Sequence, residues 1–116
     1  MIPQKIHQMR LNNSPFQLIK SGSQKIESRL NDKKRQALRL GDKIEFTNRD
    51  NSDEKIVVEI IDILRYPTFK ELYTEFPPET LTASDCSVEQ LVKNMQKYYS
   101  KEDELIFGVL GLKLKL

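Results

Sequence analysis

The chain contains few of the residues that build disulfides and metal sites. Among 116 residues it has one cysteine, Cys86, one histidine, His7, and no tryptophan. A single cysteine excludes an internal disulfide, and two such residues are too few for a four-ligand Cys/His zinc site. A nucleophilic thiol needs a base beside it, and His7 is distant in sequence. Cys86 is therefore predicted to be an ordinary reduced thiol, and no metal or cofactor is expected.

Long apolar runs are also missing. No stretch approaches the roughly 20 residues needed to cross a bilayer, and no apolar signal core follows the first residues. We therefore expect a cytoplasmic protein with no membrane partner. The length fits one domain over residues 1–116. A composition of 38% apolar and 31% charged residues is typical of a globular protein with a well-charged surface.

Basic residues are concentrated in the first half of the chain. The net charge is only +2, but residues 1–49 carry +7 and residues 50–116 carry −5. A basic half predicts a surface for a polyanion if folding gathers these charges on one face. The alternative is that the acidic half folds over the basic half and cancels its charge.

Short segments of β-type pattern predict five strands. The longest is a β-branched run that should form the central strand, closed by Pro67. The first strand could contain a bulge. The predicted strands are Lys5–Leu11, Lys25–Leu30, Lys43–Thr47, Lys55–Leu64 and Phe107–Leu116.

Helix signals separate these strands. A first helix is predicted to start at Ser14 and Pro15 and to end at Gly22, and a short one should cover Lys33–Leu38. Two further helices start at capping boxes, and polar loops are expected elsewhere. The order predicts an α+β fold, a small mixed β-barrel flanked by helices. The capping boxes begin at Thr68 and Ser87, a break is predicted at Pro77 and Pro78, and the loops are Asn48–Asp53 and Lys101–Glu104.

The stretch from Ile19 to Phe46 resembles the ASCH family. The family signature is Gly-x-Lys-x-x-Glu-x-Arg after a helix, followed by Gly-Asp and a strand, and the matching residues are Gly22, Glu27, Arg29 and Gly41-Asp42. The resemblance implies a β-barrel of the PUA-like type with a cleft beside the signature that takes RNA or a modified nucleoside. Some relatives are amidohydrolases that act on acetylated cytidine, and ribonuclease activity also occurs in the family.

The chain departs from the amidohydrolase pattern of a Lys, a Thr and a Glu. Gln24 occupies the signature lysine position, and Lys25 is displaced by one residue, which on a strand turns a side chain to the opposite face. Glu27 matches the threonine position, and the family glutamate falls near Ser84 and Asp85. If the protein is a hydrolase, the resemblance leaves Lys25 or Glu27 as the base.

Glu27 and Arg29 are two residues apart, so on a strand they share one face. An arginine there could clamp a phosphate or carboxylate, and a glutamate could accept hydrogen bonds from a base amino group. The alternative is a structural ion pair across the barrel mouth. The other candidate ligand contacts are Arg10, Lys20, Gly22, Gln24, Lys33, Lys34, Arg35 and Tyr99.

Each of these groups also has a structural interpretation. The cations at residues 33–35 could steer a phosphate backbone or form a solvated helix face. Tyr66, Tyr98 and Tyr99 could stack on bases or pack in the core.

Three functions are therefore compatible with the sequence. The first is a module that binds RNA or a nucleotide-like ligand. The second is a hydrolase for acylated nucleosides, or a ribonuclease. The third is a protein-binding domain, which an apolar patch without a basic cleft would favour.

Overall fold

The computed structural model of the protein describes residues 5–76 and 87–116. The predictions at Pro77, Pro78, Ser84, Asp85 and Cys86 lie outside these residues. None of the helices in the described ranges has the length and apolar character needed to cross a bilayer. The elements are β1 (Ile6–Leu11), α1 (Asn13–Lys20), β2 (Ile26–Leu30), a 3₁₀ turn (Arg35–Ala37), β3 (Lys43–Asn48), β4 (Asn51–Tyr66), α2 (Phe69–Glu75), α3 (Val88–Gln96), α4 (Lys101–Phe107) and β5 (Val109–Lys115).

The five strands form one mixed sheet in the order β1-β3-β4-β5-β2. β1 lies parallel to β3, and the other neighbours are antiparallel. The long strand β4 is central, as predicted, because it pairs with β3 over residues 51–59 and with β5 over residues 59–66. The sheet curls into a half-barrel with β1 and β2 at its edges. This architecture confirms the α+β, barrel-like prediction.

The core has two parts, one on each side of the sheet. The concave side holds a cluster in which Phe16, Ile44, Phe46, Ile60 and Leu112 are almost completely buried. Helices α2 and α3 cover the other side, with a cluster that is defined by Ile26, Phe69, Leu72, Tyr73, Leu91 and Val109. Burial of each large apolar side chain contributes roughly 1.5–3 kcal/mol. The two clusters therefore stabilise the curled sheet and the helices packed on it.

Five local predictions differ from the structure, and the first four concern the N-terminal half. Helix α1 follows Asn12 rather than Ser14, although Gly22 with φ +82° ends it as predicted. The segment before β3 forms only a 3₁₀ turn, because the chain is already extended at Leu38, whose side chain is buried in the core. The expected polar loop at 48–53 is a two-residue turn, since β4 begins at residue 51. β1 pairs in regular register and has no bulge.

The acidic run that begins at Lys101 forms helix α4 instead of a loop. The hydroxyl of Ser100 accepts the backbone N–H of Asp103 and caps the helix. Three acidic residues in the first turn stabilise the helix through their attraction to the positive end of the helix dipole. The N-caps predicted at Thr68 and Ser87 are confirmed, because their hydroxyls accept the N–H groups of Glu71 and Gln90.

Asp42 holds the start of β3 against the start of β1. Its carboxylate accepts the backbone N–H of Lys5 at 3.2 Å, the Nε2–H of His7 at 2.8 Å and the backbone N–H of Arg39 at 3.2 Å. Burial raises the pKa of Asp42, but these hydrogen bonds outweigh that effect and hold it below its ordinary value of 3.8. The carboxylate therefore stabilises the fold above pH 3.8, and this contribution is lost as the pH falls through the lowered pKa.

We expect Asp42→Ala to lower the free energy of unfolding at pH 7 by about 2–3 kcal/mol, because it leaves three donors without their acceptor. The difference in the free energy of unfolding between the variant and the wild-type protein should become smaller as the pH falls below 3.8. Urea denaturation at pH 7 and at acidic pH measures both effects. Asp53→Ala, at an exposed residue of β4, is the control and should change stability little. Equal losses in the two variants would contradict this role of Asp42.

Candidate functional site

A cleft lies between the two edge strands of the half-barrel and has two connected parts. The first, which we call the groove, has a volume of about 560 Å³ and contains Lys34 and Lys55. The second, which we call the chamber, has a volume of about 420 Å³ and is bordered by α3 and by Tyr98 and Tyr99. Both parts are lined by the same four arginines, Arg10, Arg29, Arg35 and Arg49.

The parallel pairing of β1 with β3 brings distant cations to this cleft. Arg10 lies opposite Thr47 in the register, and the backbone N–H of Arg49 donates to the carbonyl of Leu11 at 2.8 Å. Lys55 lies opposite Thr47 on β4. Cations from three neighbouring strand segments therefore converge on one surface.

Glu27 and Arg29 lie on one face of β2, as their spacing predicts. They lie opposite the core residues Leu112 and Leu110 of β5. The Nη2 atom of Arg29 is 3.5 Å from Oε2 of Glu27 and donates to the backbone carbonyl of Arg10 at 3.1 Å. The structure thus contains the predicted ion pair, and both side chains also line the cleft.

Arg35 is oriented by its own turn. Its Nη1 atom donates to Oδ2 of Asp32 at 2.7 Å. Its Nε–H is buried and has no hydrogen-bond partner within the described residues. Because buried donors are almost always satisfied, this group has unused capacity for an acceptor at the cleft wall.

The tyrosines near the cleft have different surroundings. Tyr99 stacks on Phe69 with ring centroids 5.8 Å apart, which matches the core-packing alternative, but it also lines the chamber. Tyr98 is 65% exposed, and its hydroxyl accepts the Nδ2–H of Asn12 at 3.3 Å. Tyr66 packs edge-on against Phe76 and lies away from the cleft. Burial raises the pKa of the Tyr73 hydroxyl, which bonds to Ser28.

Comparison with known proteins identifies the family. The model of the ASCH domain matches residues 9–116. This chain belongs to the ASCH domain family. Within the described ranges, no group of three or more His, Cys, Asp or Glu residues is placed to hold a metal ion in this ASCH domain.

Three solved structures share the fold of this chain. The hypothetical protein PH0355 has a TM-score of 0.84 and 32% identity, with 97% of this chain and 98% of that chain covered. Protein PF0455 from Pyrococcus furiosus has a TM-score of 0.76 and 28% identity, with 95% and 96% covered. A variant of ZmASCH from Zymomonas mobilis shares the fold with a TM-score of 0.69 at 16% identity, covering 99% of this chain and 71% of that one. No curated protein matches the chain.

The lysine position of the ASCH signature is occupied by a buried amide. Gln24 is 6% exposed and lines the chamber, and its Nε2–H donates to the carbonyl of Ile26 at 3.1 Å. Lys25 is exposed and does not line either part of the cleft. The predicted separation of these neighbours is confirmed.

The structure brings together most of the predicted ligand contacts but not all of them. Three lie elsewhere: Lys20 pairs with Glu54 at 2.7 Å, and Gly22 and Lys33 are exposed outside the cleft. Their roles in binding, like those of the residues inside the cleft, stay predictions. The predicted residues that line the cleft are Arg10, Gln24, Glu27, Arg29, Lys34, Arg35 and Tyr99.

Several cleft residues were not predicted. Arg49 falls in the segment predicted as a polar loop, and Lys55 begins the predicted central strand, so neither was named as a ligand contact. Tyr73, Leu91 and Met95 also line the chamber, and they belong to the two helices that were predicted from capping boxes. The strands do not follow one another in the sheet in chain order. The segments that carry these residues therefore meet in the fold although they are distant in sequence.

Glu27 is a buried carboxyl, and its burial disfavours the ionised form. Burial raises its pKa above the ordinary value of 4.5, and this effect exceeds the opposing influence of Arg29, the backbone N–H of Ser28 and Arg35. A raised pKa means that the folded state holds its proton more tightly than the unfolded state. The stability that this provides is complete below pH 4.5 and is lost as the pH rises through the raised pKa.

We expect Glu27→Gln to remove this pH dependence. The free energy of unfolding of the variant should rise relative to the wild-type protein between pH 4.5 and the raised pKa, and the difference should then stay constant. Denaturation with urea across that range measures it. A carbon-13 titration of the Glu27 carboxyl checks the same point directly, and a midpoint at or below 4.5 would contradict the assignment.

Proposed function

We propose that this ASCH domain binds single-stranded RNA or a nucleotide-like ligand in the cleft between β1 and β2. The observation that carries the proposal is the charge of the groove, whose lining, among the described residues, has six cationic side chains and no acidic one. These cations are Arg10, Arg29, Lys34, Arg35, Arg49 and Lys55.

The charge of the groove suits a polyanion because each neutralised phosphate releases a condensed counterion. The lining of the groove argues against the alternative in which the acidic half cancels the basic half. Within residues 5–76 and 87–116, Glu27 is the one acidic side chain that lines the chamber, and Glu54 pairs with Lys20 outside the cleft. A basic cleft also argues against the protein-binding alternative.

Two arginines of the cleft are held in place before a ligand arrives. Arg29 is fixed by the carbonyl of Arg10 and by Glu27, and Arg35 is fixed by Asp32. A guanidinium that is already oriented loses little side-chain freedom when it binds a phosphate in a two-pronged manner. This arrangement supports phosphate recognition rather than a diffuse electrostatic attraction.

We expect Arg49→Ala and Lys55→Ala each to weaken binding of a short single-stranded RNA several-fold at low salt. Each variant should also reduce the salt slope of log K by about 0.7, since one phosphate contact is lost. Fluorescence anisotropy at several salt concentrations measures both quantities. Lys20→Ala is the matched control because Lys20 is basic but lies outside the cleft.

Two outcomes would contradict the proposal. In the first, the wild-type protein does not bind RNA even at low salt. In the second, Lys20→Ala weakens binding as much as Arg49→Ala does, which would mean that the whole basic half attracts RNA without a site.

A second candidate is hydrolysis of an acylated nucleoside, and one observation favours it. Glu27 is a carboxyl with a raised pKa in a cleft, next to the hydroxyl pair of Ser28 and Tyr73, and perturbed carboxyls of this kind serve as general acids and bases. The exposed position of Lys25 leaves Glu27 as the base.

If the chain is a hydrolase, Lys25→Ala should keep its turnover of acylated cytidine, and Glu27→Gln should lose about 10²–10⁴-fold. Chromatographic detection of the released nucleoside, at high protein concentration, measures this activity. Loss of turnover in Lys25→Ala would show that the displaced lysine acts after all, and no turnover by the wild-type protein would remove the candidate.

A further inference from the structure

The chamber differs chemically from the groove beside it. Phosphates need only the cationic groove, but the chamber adds apolar and aromatic walls that include Leu91, Met95 and Tyr99. Its volume of about 420 Å³ lies in the usual range for pockets that hold small organic groups. A ligand made only of phosphate and sugar would leave these walls without a partner.

The polar side of the chamber presents acceptors. The carbonyl of Ile26 can only accept a hydrogen bond, so the amide nitrogen of Gln24 must face it, and the amide oxygen is the group left for a ligand. Glu27 receives the backbone N–H of Ser28 on Oε1, whereas Oε2 has only the long 3.5 Å contact with Arg29. Two side chains thus retain acceptor capacity at this wall.

Tyr98 supplies a surface for stacking at the same chamber. It is 65% exposed, whereas the neighbouring Tyr99 already stacks on Phe69. Its hydroxyl is tethered to Asn12 at the start of α1. Tyr98 and the two acceptor side chains, Gln24 and Glu27, line the same chamber, so a flat aromatic group held there has both a ring to stack on and acceptors for its edge.

We propose that the chamber takes one unstacked RNA base that carries an exocyclic amino group, with the neighbouring phosphates in the groove. This inference rests on the proposed RNA binding. Adenine, cytosine and guanine offer an amino group to the oxygens of Gln24 and Glu27, whereas uracil has carbonyl oxygens on either side of its single N–H. The base must be free of pairing to present that edge, so single strands are bound in preference to duplexes.

The test uses fluorescence anisotropy at low salt and pH 8 with short RNA strands. Pentacytidylate and pentaadenylate should bind about tenfold more tightly than pentauridylate, the discrimination expected of good hydrogen bonds to a base edge. A uridine pentamer with one central cytidine should bind within about fivefold of pentacytidylate. The chamber takes one base, so the additional cytidines of the uniform strand only increase the number of ways in which it can be filled.

Variants separate the chamber from the groove. Gln24→Leu should reduce the preference for cytidine over uridine to about twofold while leaving pentauridylate binding unchanged. Tyr98→Ala should weaken every strand about tenfold without changing the salt slope, since stacking is tolerant of sequence. Arg49→Ala should weaken all strands by the same factor and keep the preference.

The outcomes distinguish the two proposals. Absence of any RNA binding at low salt would overturn the proposed function itself. Binding with equal affinity for uridine and cytidine strands, or equal affinity for a duplex, would overturn the chamber proposal and leave the groove intact. A preference that survives Gln24→Leu, in a variant with wild-type unfolding behaviour, would also overturn the assignment of the chamber acceptors.

Discussion

The hydrogen bond from Arg29 to the backbone carbonyl of Arg10 is the contact on which the cleft depends. Its donor is on β2 and its acceptor is on β1, the two edges of the half-barrel, so one side chain spans the open side of the sheet. The same guanidinium approaches Glu27, whose burial raises the pKa of its carboxyl. A guanidinium remains charged at all ordinary pH values. Arg29 therefore joins the two edge strands and also keeps a positive charge beside Glu27, whose ionised form is disfavoured by burial.

Much of the fold could be predicted because local signals agreed with the final packing. The β-branched run of β4, the turn at Gly22 and the hydroxyl caps at Thr68 and Ser87 were all read correctly. The acidic segment of α4 was misread because its charge suggested a solvated loop, although Ser100 and the acidic first turn are good signals of a helix start. The extent of β4 was underestimated because its first residues are polar, and tertiary pairing with β3 overrides that composition.

The candidate site was only partly predictable, for a topological reason. Glu27 and Arg29 lie two residues apart in β2, so their shared face could be read from the alternation of a strand, whereas Gln24 precedes that strand. The contribution of Arg49 and Lys55 depends on the parallel pairing of β1 with β3 and on the β3–β4 turn, and no local pattern encodes such a pairing. Lys20 illustrates the reverse error, since it lies close to the signature in sequence and yet is held by Glu54 away from the cleft.

The split pairing of β4 has a consequence for the order in which the protein folds. The β3–β4 ladder joins neighbouring segments through a two-residue turn, so it can close early at a small loss of chain entropy. The β2–β5 ladder joins segments near opposite ends of the chain, and such non-local pairings form slowly. The cleft requires both β1 and β2 to be in place, so it is completed among the last steps of folding. A ligand that binds in the cleft therefore binds only the fully folded chain, and it stabilises that chain against separation of β1 and β2.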